Sequence, residues 1–299
     1  MQKRIISYAL LAASTASSAI VKDVRDAIAK KEFSQAEAQV EAYRKLNGVT
    51  AEMLEAQSWL ARGAFASKDY PRAESIARQT YQACLELLKR RPLDQDRYLP
   101  IALGASIEVQ ASVLAARGQR AEAVSLLTRE LKAFHGATIR TRLQKNLNLL
   151  TLKGKPAPAI STDVHLGAKV PTLAQLKGKP VLLFFWAHWC GDCKTEIPTL
   201  ARIQKEYAGR ITLIAPTQRY GYVAQGEEAP PEAELKYIDE VRLKYYAARI
   251  PEFLVPVSEE AFKNYGASTT PTIVIIDAAG LVKLYHPGEM SYEELKAQL

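Results

Sequence analysis

Two cysteines, Cys190 and Cys193, stand in the short segment Trp-Cys-Gly-Asp-Cys, and their spacing suits redox chemistry. The segment follows an apolar run of strand length, residues 181–186, and opens a helical stretch. A helix N-terminus stabilises a thiolate, because its backbone N–H groups are unpaired and its dipole is positive there. We therefore predict that Cys190 is the nucleophile. Cys193, one turn deeper on the same face, is predicted to attack the mixed disulfide that Cys190 forms with a substrate.

Metal binding is the competing interpretation of a C-x-x-C pair. A zinc site usually needs a second pair of ligands at comparable spacing. Cys84 is the third cysteine and lies in the other half of the chain, where its apolar helical surroundings predict a packed core thiol. The histidines form no second pair: His135, His165, His188 and His286. The pattern favours redox chemistry, and we expect no metal and no cofactor.

The C-terminal half must position this pair, and its pattern predicts alternating strands and helices that form a mixed sheet with helices on its faces. The predicted strands are residues 181–186, 211–215, 273–277 and 281–285, the last two forming a hairpin. The predicted helices are residues 190–207, 232–248 and 292–299. A buried strand followed directly by the cysteines places them at the end of the sheet.

The N-terminal half, residues 20–150, is predicted to be helical throughout, because it is rich in strong helix formers. Polar turns at 31–36, 68–73 and 118–123 each lead into a helix with an early alanine, which resembles the turn of tetratricopeptide repeats. The irregular spacing makes this a degenerate helical-repeat array, with a plain helical bundle as the alternative. Such arrays bind peptides or proteins on a concave surface. A linker is predicted at residues 151–155, where Gly154 and the prolines that follow at 156 and 158 interrupt the helical pattern. It separates this domain from residues 156–299.

The first nineteen residues have the layout of a secretory signal peptide. Lys3 and Arg4 precede a short apolar stretch, and small residues up to Ala19 offer a cleavage site. The alternative is an ordinary first helix of the next domain. The apolar stretch is shorter than the roughly 20 residues that a membrane span requires, so we expect an exported, periplasmic protein without a stable membrane span.

Charge and composition limit the partners. The chain has 299 residues, 48% of them hydrophobic and 24% charged, which is ordinary for folded domains. Lys and Arg exceed Asp and Glu by 40 to 32, giving a formal charge of +8. The basic residues are scattered without a long run or interleaved aromatic residues, so we interpret them as a solvated surface and do not expect nucleic-acid binding.

The segment from Phe185 to Lys194 resembles the active-site segment of thioredoxins. Glu196 and Pro198 extend the resemblance to the TlpA/ResA-like thiol–disulfide oxidoreductases of the periplasm. Residues 269–272, Thr-Thr-Pro-Thr, resemble the second signature of that superfamily, a cis-proline loop. The resemblance covers residues 156–299 and implies a thioredoxin-like α/β fold. It further implies that Thr270 and Pro271 pack against the redox pair and bind substrate, with Trp189 beside them.

The sequence departs from the thioredoxin pattern at Phe184, where thioredoxins have a buried aspartate that moves a proton for the second cysteine. Glu196 matches a carboxylate used in the ResA-like group and is our candidate for that proton transfer; the alternative is a solvated glutamate on a helix face. Asp192 adds negative charge beside Cys190 and is expected to make the couple more reducing. His188 is interpreted as a solvent-facing loop residue, and residues 217–231 as a solvated insertion that could also border the substrate groove.

These features predict two domains: an all-α, tetratricopeptide-like N-terminal domain and a thioredoxin-like C-terminal domain. The predicted activity is exchange or reduction of protein disulfides, with the helical domain binding clients or partners and an upstream donor supplying electrons. One alternative is a helical-repeat interaction protein with a redox-sensing thioredoxin-like appendage. Another is a thiol peroxidase, although Ala187 stands where the T-x-x-C pattern of that class has threonine.

Overall fold

The computed structural model describes residues 19–299. Tertiary contacts divide the chain into two compact units, Met1–Val109 and Gln110–Leu299. All but the last residue of the predicted signal peptide lie outside the described residues. The two units are taken in turn.

The first unit is helical, as predicted. Its helices are α1 (Ala19–Ala29), α2 (Phe33–Asn47), α3 (Ala51–Ala66), α4 (Tyr70–Leu88) and the greater part of α5 (Leu99–Ala116). Contacts join α1 to α2, α1 to α3, α2 to α3 and α3 to α4. A short 3-10 helix, Leu93–Gln95, occupies the predicted interruption between Pro92 and Pro100.

The three predicted turns are built alike. At each turn one residue takes a left-handed backbone conformation: Lys31 (φ 64°), Lys68 (φ 63°) and Gly118 (φ 79°). The backbone N–H of that residue bonds to the carbonyl three residues back, and the next N–H bonds five residues back, which closes the preceding helix. The alanines that follow, at 36, 73 and 123, are fully buried. The turns and their small residues are therefore confirmed, while membership in the tetratricopeptide family stays a prediction.

The second unit contains two further helices and then the mixed α/β part. Its helices are α6 (Arg120–Ala133), α7 (Arg140–Thr151), α8 (Gly191–Thr195), α9 (Ile197–Glu206), α10 (Pro231–Val241), α11 (Glu259–Tyr265) and α12 (Tyr292–Lys296). Its strands are β1 (His165–Leu166), β2 (Val181–Phe185), β3 (Thr212–Ile214), β4 (Val255–Pro256), β5 (Thr272–Ile276) and β6 (Val282–Pro287).

Four strands form the main sheet, in the order β3-β2-β5-β6. β2 pairs parallel with β3 and antiparallel with β5, and β6 pairs antiparallel with β5 as the predicted hairpin. Every residue of β2 and β5 is buried, because helices cover both faces. Leu182 and Phe184 point to one core with α9 and α10, and the alternate residues of β2 point to a second core with α11.

Helix α7 packs on this mixed part. It contacts α11 and β6, and Asn148 donates a hydrogen bond to the carbonyl oxygen of Asn264 at 3.1 Å. Leu152, directly after α7, belongs to the core shared with Phe262. The boundary that tertiary contacts give, between Val109 and Gln110, therefore precedes the predicted linker at 151–155. The linker marks a change of sequence pattern, and its role as a domain boundary stays a prediction.

Two predicted helices are interrupted. Residues 190–207 form α8 and α9 with a break at Glu196, because Pro198 in the first turn of α9 lacks an N–H group and clashes with a continuous helix. Residues 232–248 form α10 followed by a π-helix, Arg242–Ala247. The sequence reading also missed β1, β4 and α11; the two strands are only two residues long and show no periodicity.

Within the described residues, α5 is long and apolar enough to cross a membrane by length and composition alone. More than half of its most apolar window, 56%, is buried inside the protein, and a core helix passes the same test. The feature is therefore weak evidence for a span.

Candidate active site

Strand β2 ends at Phe185, and the chain reaches Cys190 at the N-cap of α8 within five residues. The Sγ atom of Cys190 accepts a hydrogen bond from the backbone N–H of Cys193 at 3.0 Å. The two cysteines form a disulfide, with their Cα atoms 5.3 Å apart. Because Cys190 caps the helix, the N–H groups that hold its sulfur here are those that would stabilise a thiolate after reduction.

The loop before β5 lies against this sulfur. The Thr270–Pro271 peptide bond is cis, as the resemblance implies. The Sγ atom of Cys190 is 3.5 Å from the carbonyl oxygen of Thr270, although 80 residues separate them in sequence. Cys190 is 3% exposed and Cys193 is fully buried, so Cys190 is the more accessible of the two cysteines.

Glu196 lies one helical turn beyond Cys193, at the junction of α8 and α9. It is only 4% exposed, and its Oε1 atom has no hydrogen-bond partner among the described residues. Burial is the main cause that raises the pKa of Glu196 to about 7; a hydrogen bond from the Met290 backbone opposes this rise, and the nearby carboxylates of Glu289 and Glu294 add to it. The alternative of a solvated glutamate on a helix face is therefore wrong, and a pKa of about 7 leaves both protonation states of this carboxyl group populated near neutral pH.

Phe184 is fully buried in the core that also contains Cys193 and Ile197. The position where thioredoxins have their buried aspartate is thus apolar in this chain. Glu196 is consequently the buried carboxyl group nearest to Cys193 along the site helix.

Residues 169–299 match the family model of the thioredoxin-like domain. This match agrees with the resemblance, the mixed sheet and the cysteine pair at the end of β2. Residues 169–299 form a thioredoxin-like domain.

Three known proteins are similar to about half of this chain. The thioredoxin-like protein YneN of Bacillus subtilis is 29% identical over 147 residues, which cover 49% of this chain and 78% of YneN. The thiol-disulfide oxidoreductase ResA of Bacillus anthracis is also 29% identical over 147 residues, covering 49% of this chain and 76% of ResA. The crystal structure of a thioredoxin-family thiol:disulfide interchange protein from Chlorobium tepidum is 25% identical, covers 49% of this chain and 94% of that chain, and has a TM-score of 0.38.

The name of ResA, a thiol-disulfide oxidoreductase, agrees with the enzyme class and with the ResA-like resemblance expected from the sequence. The match to the family model falls in the C-terminal half of the chain.

Two tryptophans flank the site of the thioredoxin-like domain and face in different directions. Trp186 is buried, and its indole N–H donates to the carbonyl of Ala215 at 3.0 Å. Trp189 is 50% exposed beside Cys190, and its ring meets that of Tyr220 edge-on at 5.5 Å. Trp186 therefore holds the end of β2 in place, and Trp189 presents an apolar surface next to the reactive sulfur.

The interpretation of His188 as a solvent-facing loop residue is wrong. The side chain is only 2% exposed, not solvent-facing, because it lies in a ring of three tyrosines, Tyr220, Tyr222 and Tyr237, at centroid distances of 5.5–5.6 Å. Burial lowers its pKa, and the charge of Lys194 lowers it further, although Glu234 acts in the opposite direction. A neutral imidazole is therefore favoured at this position.

Residues 217–231 are ordered against the site. Glu234, which is buried in the first turn of α10, accepts hydrogen bonds from the backbone N–H groups of Tyr220 and Gly221. Tyr220 is half-buried, with its ring against those of His188 and Trp189, and desolvation there raises its pKa. The segment is therefore not a solvated insertion along its whole length. Sequence reasoning missed Glu234, although an acidic residue in the first turn of a helix after two prolines is a usable signal.

Cys84 lies away from this chemistry, in α4. It is fully buried, as predicted for a core thiol, and burial raises its pKa to about 12. In the part of the chain that the structure describes, no group of three or more His, Cys, Asp or Glu side chains could hold a metal ion.

Proposed function

We propose that this protein is a thiol–disulfide oxidoreductase that reduces or exchanges disulfides of client proteins. The observation that carries the proposal is the Cys190–Cys193 disulfide across the first turn of α8, with Cys190 against the Thr270 carbonyl. The name of ResA, a thiol-disulfide oxidoreductase, supports the same class of activity.

The reaction begins with reduced cysteines. The Cys190 thiolate attacks one sulfur of the client disulfide, the client S–S bond breaks, and the other client sulfur leaves and takes up a proton from solvent. Cys193 then loses its proton and attacks the Sγ atom of Cys190. This breaks the mixed disulfide, forms the Cys190–Cys193 disulfide and releases the second client thiol. The client gains two electrons and two protons, and an external dithiol donor returns them to the pair.

Glu196 is proposed to accept the proton of Cys193. Two features support this role: its position one turn from Cys193 and its pKa of about 7, which leaves both protonation states populated near neutral pH. The buried carboxylate can take the proton when Cys193 attacks and return it when the pair is reduced. Glu196 would thus take the role that a buried aspartate has in thioredoxins, at the position where this chain has Phe184.

Trp189, Thr270 and Pro271 are proposed to bind the client next to its disulfide. The exposed Trp189 ring offers apolar contact on one side of Cys190, and the Thr270 loop borders the other side.

Turnover of a protein disulfide tests the proposal. With dithiothreitol as the electron donor, Cys190→Ser is expected to abolish the reduction of insulin disulfides. Cys193→Ser is expected to accumulate a covalent mixed disulfide between Cys190 and the client. Cys84→Ala is the matched control and keeps wild-type turnover, since this thiol is buried in α4. Wild-type activity in both active-site variants would refute the proposal.

The helical half is proposed to recruit clients or partners. Its support is the helical architecture of α1 to α4 and an exposed apolar residue, Leu46, at the end of α2, which is 85% exposed. Leu46→Glu in the full chain is expected to weaken turnover of protein clients while reduction of a small-molecule disulfide is unchanged. Equal turnover of clients by the variant would argue against recruitment through this site. Client capture that ignores the redox state would instead favour the interaction-protein alternative.

Export to the periplasm is proposed from the layout of residues 1–19. The relatives in the comparison agree with an oxidoreductase that handles disulfides, which persist in oxidising compartments. N-terminal sequencing of the mature protein tests it, and a new N-terminus directly after Ala19 is expected. A mature chain that retains Met1 would overturn export by cleavage.

A further inference from the structure

Three successive side chains on the π-helix, Leu243, Lys244 and Tyr245, face solvent beside the redox site. They stand between Arg242 and Tyr246, which are both buried. The Tyr246 ring lies 4.7 Å from that of Trp186, and Arg242 donates to Asp239 at 2.6 Å. These contacts fix the helix on its inner side, so the outward side chains form an ordered surface.

Lys194 joins this surface to the cysteine pair. Its Nζ atom lies 4.8 Å from the centroid of the Tyr245 ring, and the Nζ atom of Lys244 lies 5.2 Å from the same centroid. Lys194 is four residues beyond Cys190, so both side chains lie on the same face of α8. We call Lys194, Leu243, Lys244 and Tyr245 the Lys194–Tyr245 surface.

The two lysines of this surface are not held in ion pairs. Neither lysine forms an ion pair with a carboxylate within residues 19–299, and both ammonium groups are instead near one aromatic ring. Asp192 is two residues from Lys194 on α8, a spacing that turns their side chains to different faces. The 52% exposure of Leu243 adds apolar area next to the two positive charges.

We propose that the Lys194–Tyr245 surface binds an acidic segment of the client beside the disulfide that is reduced. The inference rests on the proposed function and adds the substrate class: polypeptides with Asp or Glu residues close to their cysteines. The two lysines beside the Tyr245 ring can pair with two carboxylates of the client, and Leu243 can contact an apolar client residue next to them. Placement one helical turn from Cys190 fits a segment only a few residues from the client cysteine.

The test compares two synthetic peptides, each closed by one disulfide, with three flanking glutamates in one and three flanking lysines in the other. Wild-type full-length protein is expected to reduce the acidic peptide with a kcat/KM about 5- to 10-fold higher, from two partly exposed charge contacts. Lys244→Glu is expected to lower this ratio to about one or below. The ratio should also shrink at high salt, because the contacts are partly exposed.

Lys283→Glu is the matched control, because Lys283 is an exposed lysine on β6 and the substitution makes the same charge change. It should leave the ratio at the wild-type value. Tyr245→Leu is a second variant, expected to lower the ratio partly by releasing both lysines from the ring.

The outcomes separate the two proposals. Equal turnover of both peptides by the wild-type protein, or an unchanged ratio in Lys244→Glu, overturns the acidic-client inference while the redox function stands. Turnover of neither peptide overturns the redox function and the inference with it. A dimer that Lys244→Glu dissociates in sedimentation would assign the surface to a second copy of the chain and likewise overturn the inference.

Discussion

The hydroxyl of Thr217 donates a hydrogen bond to the backbone carbonyl of Trp186 at 3.0 Å inside the protein. The backbone N–H of Thr217 donates in turn to the carbonyl of Pro256 at 3.0 Å. The segment after β3 is thereby tied to the end of β2, directly before the chain carries the cysteines. The position of Cys190 thus depends on a buried polar contact made by a residue outside the C-x-x-C motif.

Thr217→Val is expected to lower the free energy of unfolding by about 1–2 kcal/mol, because it removes a buried donor with little change of shape. Denaturant unfolding measures this change. Thr199→Val on α9, where the threonine is only half-buried, is the matched control and is expected to stay within about 0.5 kcal/mol of the wild type. Equal effects of the two substitutions would contradict a structural role for the Thr217 hydroxyl.

Glu196→Gln is expected to remove a pH dependence near neutrality. In the wild type, resolution of the mixed disulfide should accelerate as the pH rises through about 7, because Glu196 accepts a proton only when ionised. The glutamine variant should lack this rise and be at least about 10-fold slower at pH 8. Rapid-mixing kinetics from pH 5.5 to 9 measures it. Glu260→Gln, at an exposed position on α11, is the control and should keep the wild-type profile.

The same carboxyl group predicts how stability depends on pH. The pKa of Glu196 is about 7 in the folded protein and near 4.5 in the unfolded chain, so the folded state holds the proton more tightly between these values. The contribution of Glu196 to stability is therefore complete below about pH 4.5 and is lost as the pH rises to about 7. The loss approaches roughly 3 kcal/mol. Unfolding curves at pH 5 and pH 8 should differ less in Glu196→Gln than in the wild type, and an unchanged difference would contradict the assignment.

Gly266→Ala tests the contact between α7 and the thioredoxin-like domain. Gly266 has a φ of +63°, and an added Cβ atom would lie 2.6 Å from the Cα atom of Lys145 on α7. We expect a loss of more than about 2 kcal/mol in unfolding free energy and faster amide exchange in α7. Gly280→Ala is the control, since its φ is +87° but the nearest atom is 3.8 Å away. The Gly280→Ala variant should lose only about 1 kcal/mol of unfolding free energy. Equal losses in the two variants would show that α7 can move away from Gly266 at little cost in free energy.

Phe184→Asp would restore the residue type of thioredoxins, and we expect it to be harmful here. The side chain is fully buried among apolar neighbours, so an aspartate would be desolvated without an evident partner. The expected loss of unfolding free energy is more than about 3 kcal/mol, measured by denaturant unfolding. Phe184→Leu is the control with an expected loss of about 1–2 kcal/mol. An aspartate variant as stable as the leucine variant would show that the surroundings can solvate a carboxylate.

Local patterns predicted much of the fold. The apolar run at 181–186 became β2, and the polar turns at residues 31, 68 and 118 have the expected buried alanines. The helix that Cys190 opens and the cis bond at Pro271 were also predicted. These features are encoded within a few neighbouring residues, or carried by a motif, so the sequence alone sufficed. The functional roles of Cys190, Cys193 and Glu196 stay predictions.

Features that depend on distant contacts were missed. His188 is buried because tyrosines from residues 220 to 237 close around it, and no pattern near His188 reveals them. The π-helix after α10 is fixed by the packing of Tyr246 on Trp186 and Phe253. Residues 190–207 were predicted as one helix, but Pro198 interrupts it and two helices form instead. Each of these misses concerns the surroundings of the active site rather than the cysteine motif.

The packing of α7 also limits how this redox domain can be exchanged between proteins. Leu152 and the contacts of α7 with α11 complete one of its two cores, although α7 belongs to the predicted helical half and Leu152 lies within the linker that the sequence pattern suggests. A recombination that joined a new partner at residues 151–155 would separate the domain from part of its own covering. A junction before Arg140 would transfer α7 together with the sheet, and only that longer piece brings its covering helix into a new protein.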